Sequence, residues 1–235
     1  MTNQAPAADG LAATVVLLRA STDAGAPEVL MLERPDRGSF AGAWVFPGGS
    51  VDPEDYAGSA DVSAGARETR DDEALRRAAA RETLEETGLV LAESDLVALA
   101  RWHPPVQAPK RLLTSFFAAE APVGDVVVSP HEAVGYEWIS PSDALERHAA
   151  EEMLLYPPTW VTLHALVGAG GVDDVLEAAR TRGPQEFAAR FGVGGKVVFW
   201  DGDVAYADDA VLDDEGGRHR LDMRARPWTY TRTSG

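Results

Sequence analysis

A nine-residue block, Arg81-Glu82-Thr83-Leu84-Glu85-Glu86-Thr87-Gly88-Leu89, constrains this chain more than any other stretch. Its three glutamates fall at i, i+3 and i+4, and a glycine follows where a helix would stop. At about 100° per residue, Glu85 and Glu86 lie roughly 60° and 40° to either side of Glu82, so all three carboxylates leave one helical face. Like charges that close repel, an arrangement that makes sense around a hard divalent cation such as Mg2+. A Glu-rich face is also an ordinary solvated surface, and spacing alone leaves both readings open. Ala78-Ala79-Ala80, running into the block, argues for close packing of this helix. Upstream, Trp44-Val45-Phe46-Pro47-Gly48-Gly49 sets a Gly-Gly turn among strand-like residues.

Together these pieces resemble the signature of the Nudix hydrolases. Gly49 resembles the opening glycine, Asp55 falls where the first acid belongs, and Arg81 to Leu89 is similar to the closing block. Thr83 stands where an aliphatic residue is usual and Asp55 where Glu is usual. The 25 residues 56–80 separate Asp55 from Arg81, many more than in the family's compact signature. The resemblance implies that Glu82, Glu85 and Glu86 bind Mg2+ or Mn2+ and that Arg81 orients Glu82 through an ion pair. It further implies a backbone ligand, the Gly48 carbonyl, and a carboxylate from a later loop. Glu132 is the candidate for that last role, as metal ligand or general base; an exposed loop acid is the alternative.

The intervening Tyr56 to Thr69 is small and polar, without helical or strand periodicity, and reads as a surface excursion, with the insertion spanning about 56–71. Asp71-Asp72-Glu73 then supplies an N-cap candidate and acidic first-turn residues for a helix from about Asp72 to Thr87, stopped by Gly88.

Strands are expected at Leu11 to Arg19, Glu28 to Glu33, Ala43 to Phe46, Leu96 to Trp102, Leu112 to Ala119 and Gly135 to Ile139, with a short one at Asp125 to Val128. Ser140 and Pro141 open a helix to Ala149. Beyond Tyr156 the pattern changes to helices at Thr159 to Val167 and Asp173 to Arg182, then short strands at Val197 to Trp200, His219 to Arg224 and Trp228 to Thr231. The expected architecture is α/β: a Nudix α/β/α sandwich with a mixed sheet over 1–155, and a C-terminal extension of helices and short strands, 156–235, packed on that core. The extension borders the pocket or forms a homodimer contact.

A net charge of −17 argues against a general nucleic-acid binder, which needs a basic surface. It leaves room for a small nucleotide-type substrate met by bound cations and a few arginines. Without cysteine there is no disulfide, thiolate metal site or cysteine nucleophile. The N-terminus lacks a basic region followed by an apolar run, and no apolar stretch is long enough to span a bilayer; a cytoplasmic enzyme without membrane partners is expected.

Substrate marks are the run Phe40 to Gly49, Asp52-Pro53, the insertion, Pro109-Lys110-Arg111 and Pro157-Pro158-Thr159. They resemble a Nudix subgroup acting on coenzyme A and acyl-coenzyme A. Gly42 fits the upstream coenzyme A signature of a related group, whereas Met31 and Arg37-Gly38 do not. Arg34, Arg37 and Arg111 are candidates for phosphate contacts and Trp102 for stacking on a base; loop ion pairs and core packing are the alternatives. The expected activity is metal-dependent hydrolysis of a diphosphate linkage in coenzyme A or acyl-coenzyme A. ADP-ribose, NADH or a dinucleotide is the alternative substrate, and a non-catalytic ligand-sensing domain or an interaction module the alternative class.

Overall fold

Strand β1 (Gly10–Arg19) sets the two faces of the structure. In the computed structural model, which describes residues 9–21, 27–38, 40–57, 64–106 and 111–233, Ala13, Val15 and Leu17 join one apolar cluster and Val16 and Leu18 the other. Such alternation between two buried faces is what a central strand requires. Strand β2 (Glu28–Glu33) meets β1 only at Leu18↔Val29 and Arg19↔Glu28, and the two then part. Residues 44–50 run into the gap: β3 (Trp44–Val45) pairs with β2, and β4 (Gly48–Ser50) pairs with β1. On its other edge β1 runs parallel to β6 (Leu112–Glu120), which pairs antiparallel with β5 (Val97–His103). Strand β7 (Gly135–Ile139) lies antiparallel to β2.

Helix α1 (Ala64–Thr87) covers one face, with Leu75, Ala78 and Ala79 packed among Val15, Leu17, Leu30, Leu32 and Phe117. The small alanines let the helix backbone approach the sheet closely. Helices α2 (Pro141–Ala149), α3 (Pro157–Leu166) and α4 (Val172–Arg182) serve the other face, burying Ala144, Trp160, Leu163, Val175 and Leu176 against Val16, Leu18, Met31 and Phe116. This is an α/β sandwich with a mixed sheet, the architecture expected from the sequence. No described helix is long and apolar enough to cross a membrane.

Residues beyond Tyr156 enter the same core. Strand β8 (Gln185–Ala188) extends the main sheet parallel to β5, and its Phe187 stacks on Trp102 with centroids 4.0 Å apart. A second antiparallel sheet follows, in the order β12 (Thr229–Thr233), β11 (Arg218–Asp222), β10 (Val197–Phe199), β9 (Arg190–Phe191). Trp200 and Leu221 from this region are fully buried in the cluster that holds Val16 and Phe116.

Two expected elements differ. Helix α1 begins at Ala64, inside the stretch read as an irregular excursion, so Asp71-Asp72-Glu73 lie within the helix instead of capping it. The i,i+4 pairs Asp72–Arg76 (2.9 Å) and Glu73–Arg77 (3.2 Å) run along it; its first turns carry no apolar stripe, and so no period betrays them. Residues 125–128 form no strand. Their loop instead serves the end of α1: Val127 N–H donates to the Thr87 carbonyl (2.8 Å) and Ser129 N–H to that of Glu86 (3.4 Å), groups a helix terminus leaves unsatisfied. Gly88 ends the helix in the left-handed conformation, φ 73°, as expected.

His148 ties α2 to the extension. It is fully buried: Arg226 Nη1 donates to Nε2 (2.9 Å), which leaves Nδ1 to carry the proton and donate to the Met153 carbonyl (3.0 Å). Burial pushes its pKa down to about 4, and Arg226 works in the same direction. The unfolded chain therefore takes up a proton near pH 6.5, whereas the folded chain does so only near pH 4, and stability falls as pH falls through that window. Chemical denaturation of wild type and His148→Gln should show their stability gap narrowing by about 3 kcal/mol between pH 7 and pH 4; a gap independent of pH would show that this ring is not held neutral.

Candidate active site

The segment wedged between β1 and β2 lays Gly48 and Gly49, expected as a turn but paired with β1 as strand β4, against the carboxylate face of α1. At Gly48 a Cβ would stand 2.3 Å from the Ala13 carbonyl oxygen, so the close strand contact admits no side chain. At Gly49 a Cβ would stand 2.3 Å from Glu82 Oε1: that carboxylate lies directly on the bare backbone. Glu86, buried, accepts the Gly48 N–H through Oε2 (2.9 Å) and Arg34 Nη1 through Oε1 (3.3 Å). The same Arg34 nitrogen donates to Glu132 Oε2 (3.3 Å). Arg34 follows β2 and Glu132 lies in the loop that caps α1, so one guanidinium joins three separate parts of the chain.

Arg81 holds the other side. Its Nε and Nη2 grip Asp55 in a fork (3.2 and 2.9 Å), Nη2 also reaches the Ser50 carbonyl (3.1 Å), and Nη1 donates to Glu82 (2.8 Å). Glu85, at 3.5 Å from Nη1, is half exposed. Asp55 is buried, and although burial opposes ionisation, the Arg81 hydrogen bonds hold its carboxyl below the usual range. The aspartate that replaces the usual Glu thus anchors the arginine. Arg77 Nη1 adds a bond to the Asp55 carbonyl (2.8 Å). Thr83, in place of an aliphatic residue, is buried without penalty because its hydroxyl donates to the Ala79 carbonyl (2.7 Å).

Burial pushes the Glu86 carboxyl up to about 7, with the charges of Glu82 and Glu132 adding to the rise and the Gly48 N–H and Arg34 opposing it. Burial also raises Glu82, against the pull of Arg81. Two adjacent carboxyls are therefore costly to ionise together. The donor set is all oxygen (Glu82, Glu85, Glu86 and Glu132), the chemistry a hard divalent cation prefers. Among the described residues no three acidic or histidine side chains converge into a ready cage; Arg34 and Arg81 stand between them.

Of the residues singled out from sequence, Glu82, Glu85, Glu86, Arg81, Glu132, Gly48 and Arg34 come together. Gly48 meets the cluster through its N–H. Trp102 does not join them: it is buried in the cluster opposite α1, stacked on Phe187, and cannot lie on a base without unpacking the core. Arg111 stands across β1 from β4, its backbone N–H bonded to Asp9 Oδ2 (3.0 Å). Arg37 is exposed in the loop after β2. Lys110, beside Arg111 in the sequence, lies outside the described residues.

A glycine-backed strand laid against a triply acidic helix, inside a mixed α/β sandwich, makes an all-oxygen acidic cluster of the kind that suits a hard divalent cation. The NUDIX domain family model matches residues 9–157, and the chain belongs to that family. A NUDIX hydrolase from Alicyclobacillus acidocaldarius is similar in structure, with 25% identity and a TM-score of 0.61, over 72% of this chain and 96% of the other. The NUDIX domain of Shewanella oneidensis NrtR, crystallised with ADP ribose, shows 18% identity and a TM-score of 0.49 over 70% and 90%. No curated protein sequence matches the chain. The protein is a Nudix hydrolase, of a family that acts on nucleoside diphosphate derivatives and generally uses divalent metal ions.

The two glycines should respond differently to alanine. Gly48→Ala drives a Cβ into backbone and should destabilise the fold by about 1–3 kcal/mol. Gly49→Ala meets only a movable carboxylate and should cost under about 1 kcal/mol. Denaturant midpoints of the two variants decide this; equal losses would mean the two approaches are not as different as their geometry.

Proposed function

We propose that this protein is a Mg2+- or Mn2+-dependent diphosphatase whose preferred substrate is coenzyme A or acyl-coenzyme A. The observation that carries the hydrolytic part is the set of three glutamates on one face of α1, two of them laid on Gly48 and Gly49, with Arg34 bridging Glu86 to Glu132. All three carboxylates of the block are present, which disfavours a ligand-sensing domain without turnover. Support for coenzyme A is the sequence likeness: the run Phe40 to Gly49 and the insertion between Asp55 and Arg81.

A bound divalent cation would neutralise diphosphate oxygens and lower the pKa of a water. Glu82, Glu85 and Glu86 would hold it. Arg81, fixed by Asp55 and the Ser50 carbonyl, positions Glu82. Glu132, half exposed and steadied by Arg34, takes the proton of the attacking water as general base. Arg34, relieved of part of its carboxylate contact, is placed to meet a substrate phosphate. Hydrolysis of coenzyme A at the anhydride would yield 3',5'-adenosine diphosphate and 4'-phosphopantetheine, water supplying one oxygen and two protons.

Incubation with coenzyme A, acyl-coenzyme A, ADP-ribose, NADH and dinucleoside polyphosphates, with Mg2+ or Mn2+, followed by product analysis, tests the assignment. Cleavage of ADP-ribose alone would remove coenzyme A and leave the chemistry standing. Glu85→Gln and Glu86→Gln should each lower kcat/KM at least about 100-fold, equal to about 2.7 kcal/mol of transition-state stabilisation, with circular dichroism unchanged. Gly49→Ala, which displaces Glu82, should lower it at least about tenfold. A fully active Glu86→Gln enzyme would show the metal face to be misassigned.

A further inference from the structure

The loop from Arg34 to Ala43 is closed at its base by Arg34 N–H donating to the Ala43 carbonyl (2.9 Å). Three of its described residues have positive φ: Gly38 (75°), Phe40 (61°) and Gly42 (66°). Two are glycine, for which that backbone is unstrained. The third is a phenylalanine, and a bulky side chain in the left-handed region is a strained choice that packing ordinarily must justify. Packing does not justify it here, because Phe40 is 53% exposed.

Among the described residues its ring has one aromatic neighbour, Tyr156, at 5.0 Å between centroids and 80° between planes, and Tyr156 is itself 39% exposed. The two rings form an open corner, in which a planar group can lie flat on one ring and meet the edge of the other. The corner is fastened to the reaction site from both sides. Phe40 offers its carbonyl to the Ala43 N–H (3.0 Å), in the loop whose first residue, Arg34, touches Glu86 and Glu132. Tyr156 lies two residues after Leu154, which bridges Ala43 and accepts the Trp44 N–H (2.9 Å) just ahead of the glycine wedge.

We propose that Phe40 and Tyr156 are the base-binding corner of the site, receiving the planar nucleobase of the substrate while Arg34 and the carboxylate cluster meet its phosphates. The inference rests on the reading of the chain as a hydrolase of nucleoside diphosphate derivatives, and it adds the residues that recognise the nucleoside. Strain at Phe40 is then the mark of a residue kept for binding: glycine would suit the backbone better and leave nothing to stack on.

AMP and ribose 5-phosphate, neither of which has a diphosphate linkage, separate base recognition from hydrolysis. By titration calorimetry on the full chain, AMP should bind about 5- to 150-fold more tightly than ribose 5-phosphate, the range of one base stacked on an aromatic ring. Phe40→Gly should erase that difference while leaving the melting temperature unchanged or raised, a combination that simple structural damage does not give. Tyr156→Leu should weaken AMP, and Tyr156→Phe should keep it. On a hydrolysed nucleoside diphosphate substrate, Phe40→Gly should raise KM by the same factor with kcat within about twofold. AMP affinity unchanged in Phe40→Gly overturns the corner, as does a variant whose only effect is to dissociate a dimer in sedimentation, which would make this face a contact between copies. Phe40-dependent AMP binding in a protein that cleaves no diphosphate would uphold the corner and reject the hydrolase reading.

Discussion

The forked ion pair between Arg81 and Asp55 is the constraint on which the site depends. Between these residues lie 25 others, the last 17 of them in α1, and bringing the two ends together costs chain entropy that a contact has to offset. The pair does so at 2.9 and 3.2 Å, with the aspartate out of water, and Arg81 extends the same grip to the Ser50 carbonyl and to Glu82. Removing one member of a buried pair strands the other charge, which is why such contacts act as registers as much as sources of stability. The insertion can therefore be long without loosening the chemistry: its ends are pinned at the point where the carboxylate face begins.

A second arginine completes the frame in a different way. Arg34 sits among acids that resist ionising side by side, and its nitrogen lies 3.3 Å from both Glu86 and Glu132. The site thus has two cationic braces, one fixed by a buried partner and one shared between a buried acid, Glu86, and a half-exposed one, Glu132. The fixed brace sets geometry. The shared one is free to exchange carboxylate for phosphate, and this asymmetry matches a pocket that must keep its shape while its charge is rearranged.

How much of this could be read from the residues follows from the range of each interaction. The face bearing Glu82, Glu85 and Glu86 and the stop at Gly88 are local, so spacing along a helix suffices to find them. Gly48 and Gly49 read as a turn but form part of strand β4, because the clash that makes each a glycine involves Ala13 and Glu82, distant in sequence. The first turns of α1 escaped because they lack an apolar period, and residues 125–128 looked like a strand because their valines suit one, although their N–H groups finish a helix. Trp102 illustrates the limit: an aromatic in a strand can face a ligand or a core, and only its stacking on Phe187, from a strand of four residues that no pattern announced, decides. Arg34 as a bridge, rather than a phosphate contact alone, needed three segments brought together.

The attachment of β8 to β5 bears on how the chain is made. Until residues 185–188 have been synthesised, the outer edge of β5 has no strand beside it, and bare sheet edges invite pairing with other chains. The carboxylate helix and the glycine wedge, by contrast, lie wholly within the first 90 residues. The helix and the wedge are thus synthesised well before the strand that covers this edge of the sheet.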